Sequence, residues 1–375
     1  MTTAVRWTVV LLLTVHGLIH LLGVVKGFGW AEVPALTQDV SPAAAVLWSA
    51  ATVLVLATAA TVALGGPDWR WVLAGAAAVV SEVAIVSSWA DAKAGTAANL
   101  VLVLVSAYGF ASLGPGSQAA QFDRQAHVAL SRTPHTAGVV TEADLARLPE
   151  PVATYVRRSG AVGRPRVTSL HADVHGRIRS GPDDAWMPFH GEQVNTFGEV
   201  PQRVFHIDAT MRGLPVSVLH VFDEHAATMR AELLDVVPVV RARGPEMDRS
   251  ETVTIFNDLL VLAPAALVDA PVAWEVLDAR HVRGTLTAHG HRVSADLTFD
   301  EAGDLVDFVS RDRSRASSDG QSFLDQPWST PLQHYADLHG RRLAVEGQGV
   351  WDAPAPEGRF AYIDFVVDDL TYNPS

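Results

Sequence analysis

The chain has 375 residues, a net charge of −13, 49% hydrophobic residues and no cysteine, so it holds no disulfide, thiolate metal site or cysteine nucleophile. Its acidity disfavours nucleic acid as a partner, because phosphate binding relies on lysine and arginine. The first 114 residues carry nearly balanced charge, which leaves the negative excess to an acidic, water-soluble remainder.

Apolar runs occupy Trp7–Val25, Ala43–Leu64, Trp71–Trp89 and Leu100–Leu113. A bilayer core needs ~20 such residues. Three further runs follow the first, which argues against a cleaved signal peptide. Trp7, Trp30, Trp48, Trp69, Trp71 and Trp89 fall at the predicted span ends, as in an interfacial aromatic belt. Residues 1–114 are therefore expected to form an all-α bundle of four transmembrane helices in the cell membrane, with the lipid bilayer as partner. Arg6, Arg70, Arg124 and Arg132 on one side, against Lys26 and Lys93 on the other, predict a cytoplasmic N-terminus and a cytoplasmic soluble domain.

Ionisable groups inside spans are costly and often functional. His16 lies ten residues before Lys26, about 15 Å of helix rise, and Glu82 lies nine before Asp91 on the same predicted side. His16, His20 and Glu82 are thus expected at similar depth, below a polar lid of Lys26, Asp91, Lys93 and Asn99. His16, His20, Gly23 and Gly27 share one helical stripe, and Gly75, Ala78 and Glu82 another, and small residues mark faces where helices approach. Of the 28 basic residues only Lys26 and Lys93 are lysine, and both flank this mouth. These seven residues form a candidate ligand-binding site. His16 and His20 at i, i+4 are also a candidate metal pair, although Gly17 stands where a zincin has its glutamate. The competing reading is interhelical hydrogen bonding, worth roughly 1 kcal/mol per bond. Thr96 reads as a helix N-cap and Gly95 as a turn residue. No residue pattern specifies a cofactor.

Residues 115–140 read as a linker with helical pieces, and residues 141–375 as a soluble β-rich domain. Thr141 to Asp144 starts a short helix and Leu148 to Pro151 breaks into another. From Leu170 to Ile178 apolar and polar residues alternate, and further strands are expected near Arg203–Thr210, Val216–Phe222, Arg283–His289, Val293–Phe299, Leu305–Arg311, Arg342–Val350 and Phe360–Tyr372. Turns at Gly290 and at Asp300 to Gly303 predict hairpins, hence an α+β domain with a curved antiparallel sheet. Asp248 to Glu251 reads as a capping box opening a helix from Thr252 to Leu262. His171, Asp173 and His175 read as a solvated strand face, Arg241, Arg243, Glu246 and Asp248 as an ion-pair network, and Trp186 to Phe189 as core. No G-x-S-x-G, Walker A or Rossmann glycine pattern occurs, so no catalytic residue is assigned.

The segments "HGLIHLLGVVKGFG", "WADAKAGTAAN", "LPEPVATYVRRSG", "WMPF" and "RGPEMDRSET" resemble a bacterial family of membrane proteins of unknown function. The resemblance covers almost the whole chain and implies four N-terminal spans followed by a β-rich domain. His16, His20, Lys26, Asp91, Lys93 and Asn99 fall within its first two motifs. The strand count with one long helix is also distantly similar to the half-barrels of lipoprotein carriers, which hold acyl chains. Three functions remain open at this point: a tethered β domain binding a lipid or other apolar ligand, a membrane-embedded metal, proton or redox site, and a passive anchor carrying a protein-interaction domain.

Overall fold

A computed structural model describes residues 3–134, 137–317 and 320–374. His135 and Thr136, within the expected linker, lie outside the described residues. The chain forms two compact units, Met1–Gln121 with Leu234–Val236, and Phe122–Leu233 with Val237–Ser375.

The first unit holds α1 (Thr3–Ile19), α2 (Leu21–Gly27), α3 (Pro42–Leu64), α4 (Arg70–Ser87), α5 (Trp89–Ala92) and α6 (Gly95–Leu113). Among the described residues four helical segments are long and apolar enough to cross a membrane: α1 with α2, α3, α4, and the segment beginning at Gly95. Leu11, Leu12, Val15, Leu18 and Ile19 are exposed on α1, whereas Leu13, His16 and Gly17 are buried, so the apolar side faces outward and the polar stripe inward. Glycines make the close approaches. A Cβ at Gly23 would stand 2.2 Å from the Trp48 indole, and one at Gly27 2.6 Å from Ala45 Cβ. Trp48 is consequently buried against α2, unlike the exposed Trp7, Trp30, Trp69 and Trp89.

A helix stands where the sequence suggested a linker with helical pieces, and most of it belongs to the second unit. Helix α7 (Gln118–Arg132) places Phe122 and Ala126 against Val194, Val204 and Leu219. Short helices α8 (Glu142–Leu145) and α9 (Glu150–Arg158) follow. Then come β1 (Ser169–Ile178), β2 (Met187–Thr196), β3 (Gln202–Met211), β4 (Leu214–Phe222), β5 (Ala227–Leu233), β6 (Val237–Arg243), helix α10 (Pro245–Val261), β7 (Val272–Val276), β8 (His281–Ala288), β9 (His291–Phe299), β10 (Leu305–Ser310), β11 (Ser314–Ala316), β12 (Phe323–Asp325), β13 (Trp328–Ser329), β14 (Leu332–Leu338), β15 (Arg341–Asp352) and β16 (Arg359–Tyr372). All but β11 and β12 form one antiparallel sheet in the order β6-β5-β4-β3-β2-β1-β16-β15-β13-β10-β9-β8-β7, with β14 on β15. The sheet curls into a half-barrel: the β8–β9 turn reaches back to β4, where His289 stacks on Phe222 at 3.9 Å and its Nε2 donates to Pro201 O at 2.6 Å.

Helix α10 joins the two edge strands across the concave face, and every residue from Ser250 to Val261 is buried. Its start differs from expectation. Gly244, at φ 109°, turns the chain directly into Pro245, whose fixed φ and missing N–H suit the first helical position. Asp248 therefore lies inside the helix and accepts from Ala227 N at 2.6 Å, while Glu251 pairs with Arg203 instead of closing a capping box.

Candidate functional sites

In the helical unit, Ser81 joins the residues singled out from sequence. His20 Nε2 lies 2.8 Å from Ser81 Oγ, and His16 Nε2 lies 3.1 Å from the same hydroxyl. Ser81 donates to Asn99 Oδ1 at 2.7 Å, and His16 Nε2 is 2.9 Å from that oxygen. Asn99 Nδ2 donates to Glu82 at 2.7 Å, and Thr96 Oγ1 donates to Glu82 at 2.9 Å. Glu82 as acceptor orients the Asn99 amide, so Oδ1 faces His16 and requires a proton on His16 Nε2. Ser81, spending its own proton on Asn99, accepts from His20 Nε2. Both histidines then hold their lone pair at Nδ1.

His16, His20 and Asn99 are buried, and Glu82 is half-buried. The histidines and Glu82 do not touch one another's polar atoms; Ser81 and Asn99 connect them. The remaining lid residues act elsewhere. Lys26 donates to the carbonyls of Leu36 and Gln38, and Asp91 accepts from Thr37 N, Thr37 Oγ1 and Gln38 N at 2.6–2.9 Å. The hydrogen bonds from Gln38 and Thr37 hold the Asp91 carboxyl below its usual range. Together these two residues pin the loop after α2. Lys93 is exposed and makes no ion pair among the described residues.

Helical hydrogen bonding is interrupted at His20, whose carbonyl accepts from both Gly23 N and Val24 N. His20 Nδ1 and Trp48 Nε1, on rings 5.2 Å apart, are buried without a hydrogen-bond partner among the described residues. As for the metal expectation, no group of three or more His, Cys, Asp or Glu is placed to hold an ion among the described residues.

The half-barrel contains a second polar cluster that sequence reasoning missed. Arg203, on β3, donates from Nε to Asp258 at 2.9 Å, from Nη1 to Glu251 at 3.1 Å and from Nη2 to Gln193 at 3.1 Å. Asp258 also accepts from Gln193 at 2.7 Å and Asn195 at 2.9 Å. Burial works against charge on Glu251, but Arg203, His220 and Arg313 outweigh it and hold its carboxyl below the usual range. Burial raises Asp258, and Arg203 and Asn195 offset this only in part. Glu251 is thus the firmly ionised partner. Desolvation pushes His220 down to about 4.

Register fixes what lies beyond this cluster. Row by row across β1 to β6, the residues under α10 include Gln193, Phe205, His220, Asn195 and Arg203. The next row is Val174, Gly191, Ile207, Val218, Ala231, Val240, and the one after is Gly176, Phe189, Ala209, Val216, Leu233, Val237. Both are wholly apolar or glycine. Ile207 and Phe189 are buried, Val218, Leu233 and Val240 are half-buried, and Leu214 at the rim is 44% exposed. On β16, Val367 and Phe365 continue these rows and Ile363 stands opposite Ile178 one row further out; Val367 is buried, and Phe365 and Ile363 are half-buried.

The remaining candidates are peripheral. His175 pairs with Asp368 at 2.7 Å, and Glu192 raises His171 on the same convex face. Arg241, Arg243, Glu246 and Asp248 form no ion pair with one another. An open cleft of about 610 Å³ between the start of α9 and the β7–β8 and β9–β10 turns is lined by Glu150, Thr154, Asp278, Arg280, Phe299 and Glu301.

A family of unknown function, DUF6544, matches residues 138–365. The chain belongs to this family. Solved structures similar to it include a domain from Vibrio parahaemolyticus assigned to outer membrane lipoprotein sorting, at 10% identity, covering 55% of this chain and 85% of that one with a TM-score of 0.33. A LolA superfamily protein from Nitrosomonas europaea is similar at 12% identity, covering 63% and 96%, with a TM-score of 0.29. A DUF1329 family protein from Desulfovibrio piger is similar at 9% identity, covering 60% and 92%, with a TM-score of 0.32. No curated protein matches. The unknown-function family and the lipoprotein-carrier likeness read from the sequence both recur among these matches.

Proposed function

We propose that this is an integral membrane protein whose β domain, cytoplasmic by the arginine bias, binds a lipid or another apolar ligand on the concave face of the half-barrel. The observation that carries this reading is the pair of apolar rows beyond α10, in which Val218, Leu233 and Val240 are only half-buried and Val237 is exposed although they line the inside of the sheet. Solvent contact on inward-facing Val218, Leu233, Val240, Ile363 and Phe365 is unfavourable by ~25 cal/mol per Å², and an acyl chain laid on them removes it. Photocrosslinking tests the reading. A diazirine-bearing acyl probe added to the full chain in nanodiscs is expected to label peptides of β1, β4 and β16, and Ile363→Asp is expected to abolish that labelling. Adducts confined to residues 3–113 would refute it.

A second reading is supported by the interrupted helix at His20 and the vacant His20 Nδ1. Here the helical unit takes up a proton or a small polar ligand at His16, His20, Ser81, Asn99 and Glu82. Both Nε2 atoms are engaged with Ser81 or Asn99, which favours a proton or hydrogen-bonding ligand over a metal. Nitrogen-15 spectra of the histidine rings are expected to shift at His16 in Glu82→Gln, through Asn99. Unchanged spectra, or stoichiometric metal in the purified chain, would overturn it.

A further inference from the structure

Arg313 stands between the polar floor of the half-barrel and its apolar rows. Its guanidinium lies over the Trp328 ring at 4.2 Å and near Trp351 at 5.6 Å, and Nη1 donates to Tyr362 Oη at 3.3 Å. Tyr362 immediately precedes Ile363 of the apolar rim. Among the described residues Arg313 has no carboxylate within ion-pair distance. The nearby carboxylates are engaged elsewhere: Glu251 with Arg203, Asp325 with Arg249 and Ser314 Oγ, and Asp312 with the backbone N–H of Ser294.

Two buried polar side chains of one short segment lack hydrogen-bond partners among the described residues. One is the Trp328 Nε1–H, on the ring beneath this cation and in a residue only 4% exposed. The other is Gln326, two residues earlier in the chain and 3% exposed, with both amide atoms unpartnered. An orphaned buried donor costs about 1–3 kcal/mol, so two in one short segment call for an acceptor. A guanidinium, an indole N–H and an amide N–H are each donors that an anionic oxygen accepts.

We propose that Arg313, Trp328 and Gln326 bind the anionic oxygen head of an amphiphile whose acyl chain lies on the apolar rows. The inference rests on the proposed apolar-ligand reading and narrows it to ligands with a carboxylate or phosphate head. The two aromatic rings hold the guanidinium in place, and Tyr362 links the head position to the rim at Ile363.

The test uses the full chain in zwitterionic nanodiscs with 11-(dansylamino)undecanoic acid and its methyl ester as probes, against empty nanodiscs. Wild type is expected to bind the acid at least tenfold more tightly than the ester. Arg313→Gln is expected to bring the acid to the ester's affinity, and Trp328→Phe, which keeps the ring and removes only the N–H, to weaken the acid severalfold and leave the ester unchanged. Ester binding equal to wild type shows that a variant has kept its fold. Equal affinity for acid and ester in wild type, or an acid-to-ester ratio untouched by both substitutions, overturns the head site and leaves the apolar-ligand reading standing. Binding of neither probe overturns both. Displacement of the acid by millimolar inorganic phosphate, with no effect of Ile363→Asp, would mark a free-anion site and overturn the amphiphile.

Discussion

Replacing Arg203 by methionine keeps most of the side chain's length and removes its charge from the buried cluster. The Arg203 side chain is 7% exposed, that of Glu251 3% and that of Asp258 12%. The substitution strips Asp258 of a donor at 2.9 Å and Glu251 of one at 3.1 Å, leaving two carboxylates in a low-dielectric interior. Removing one partner of a buried ion pair costs about 3–5 kcal/mol, a large part of the ~5–15 kcal/mol that holds a domain together. The loss has a pH signature. Without Arg203 both folded carboxyls titrate above their unfolded values near 4, so protonation relieves the variant as pH falls. The penalty is complete at neutral pH and shrinks toward pH 5. Urea titration of the full chain with pulse proteolysis, following the β domain, measures it at pH 7.5 and pH 5. Adding Asp258→Asn to the variant removes one stranded charge and is expected to recover part of the loss at pH 7.5. A penalty below about 1 kcal/mol at pH 7.5, or one equal at both pH values, would refute the account of this cluster as a desolvated charge network.

Ser81→Ala leaves His20 Nε2 without its partner in the helical unit and is expected to destabilise that unit by about 1–3 kcal/mol, read as a lower thermal midpoint in detergent. His220 contributes in the opposite pH sense to the carboxylates of Arg203→Met: its folded pKa is lowered to about 4 from 6.5. The unfolded chain binds its proton first, so stability declines as pH falls from about 6.5 to about 4, by at most about 3 kcal/mol. His220→Leu is expected to flatten that slope in urea titrations between pH 7 and pH 5. Gly284→Ala sets a Cβ 2.6 Å from Phe256 Cζ and 2.9 Å from Trp274, and overpacking of this kind costs about 1–3 kcal/mol in the same assay.

The helices and strands of this chain were legible wherever burial followed a simple period. Alternation marked β1, β9 and β16 because one face of each packs on the core and the other meets water or polar neighbours. β6 and β7 escaped because edge position blurs that alternation, and β5 and β14 because they are short; β2 escaped because its inward face carries Gly191, Gln193 and Asn195 beneath α10 instead of apolar residues. The depth of His16, His20 and Glu82 followed from residue counting along spans. Ser81 did not, since a serine in a span carries no charge to draw notice; its place three residues after Ala78, on the small-residue face, was the available signal. The Arg203 cluster and the Arg313–Trp328 pair were invisible for a different reason. Glu251 lies 48 positions from Arg203, and only sheet register and the path of α10 bring them together.

The middle of the half-barrel is the pairing of β1 with β16, whose His175 and Asp368 stand 193 positions apart. During synthesis the strands from β1 to β6 emerge long before the partner that completes β1. Until β16 leaves the ribosome, β1 is an open edge and α10 has only half of its walls. Closure of the domain is therefore a late event with a large loop to gather, which favours slow folding. Removing Arg359 to Tyr372 would split the sheet at its centre instead of trimming its border.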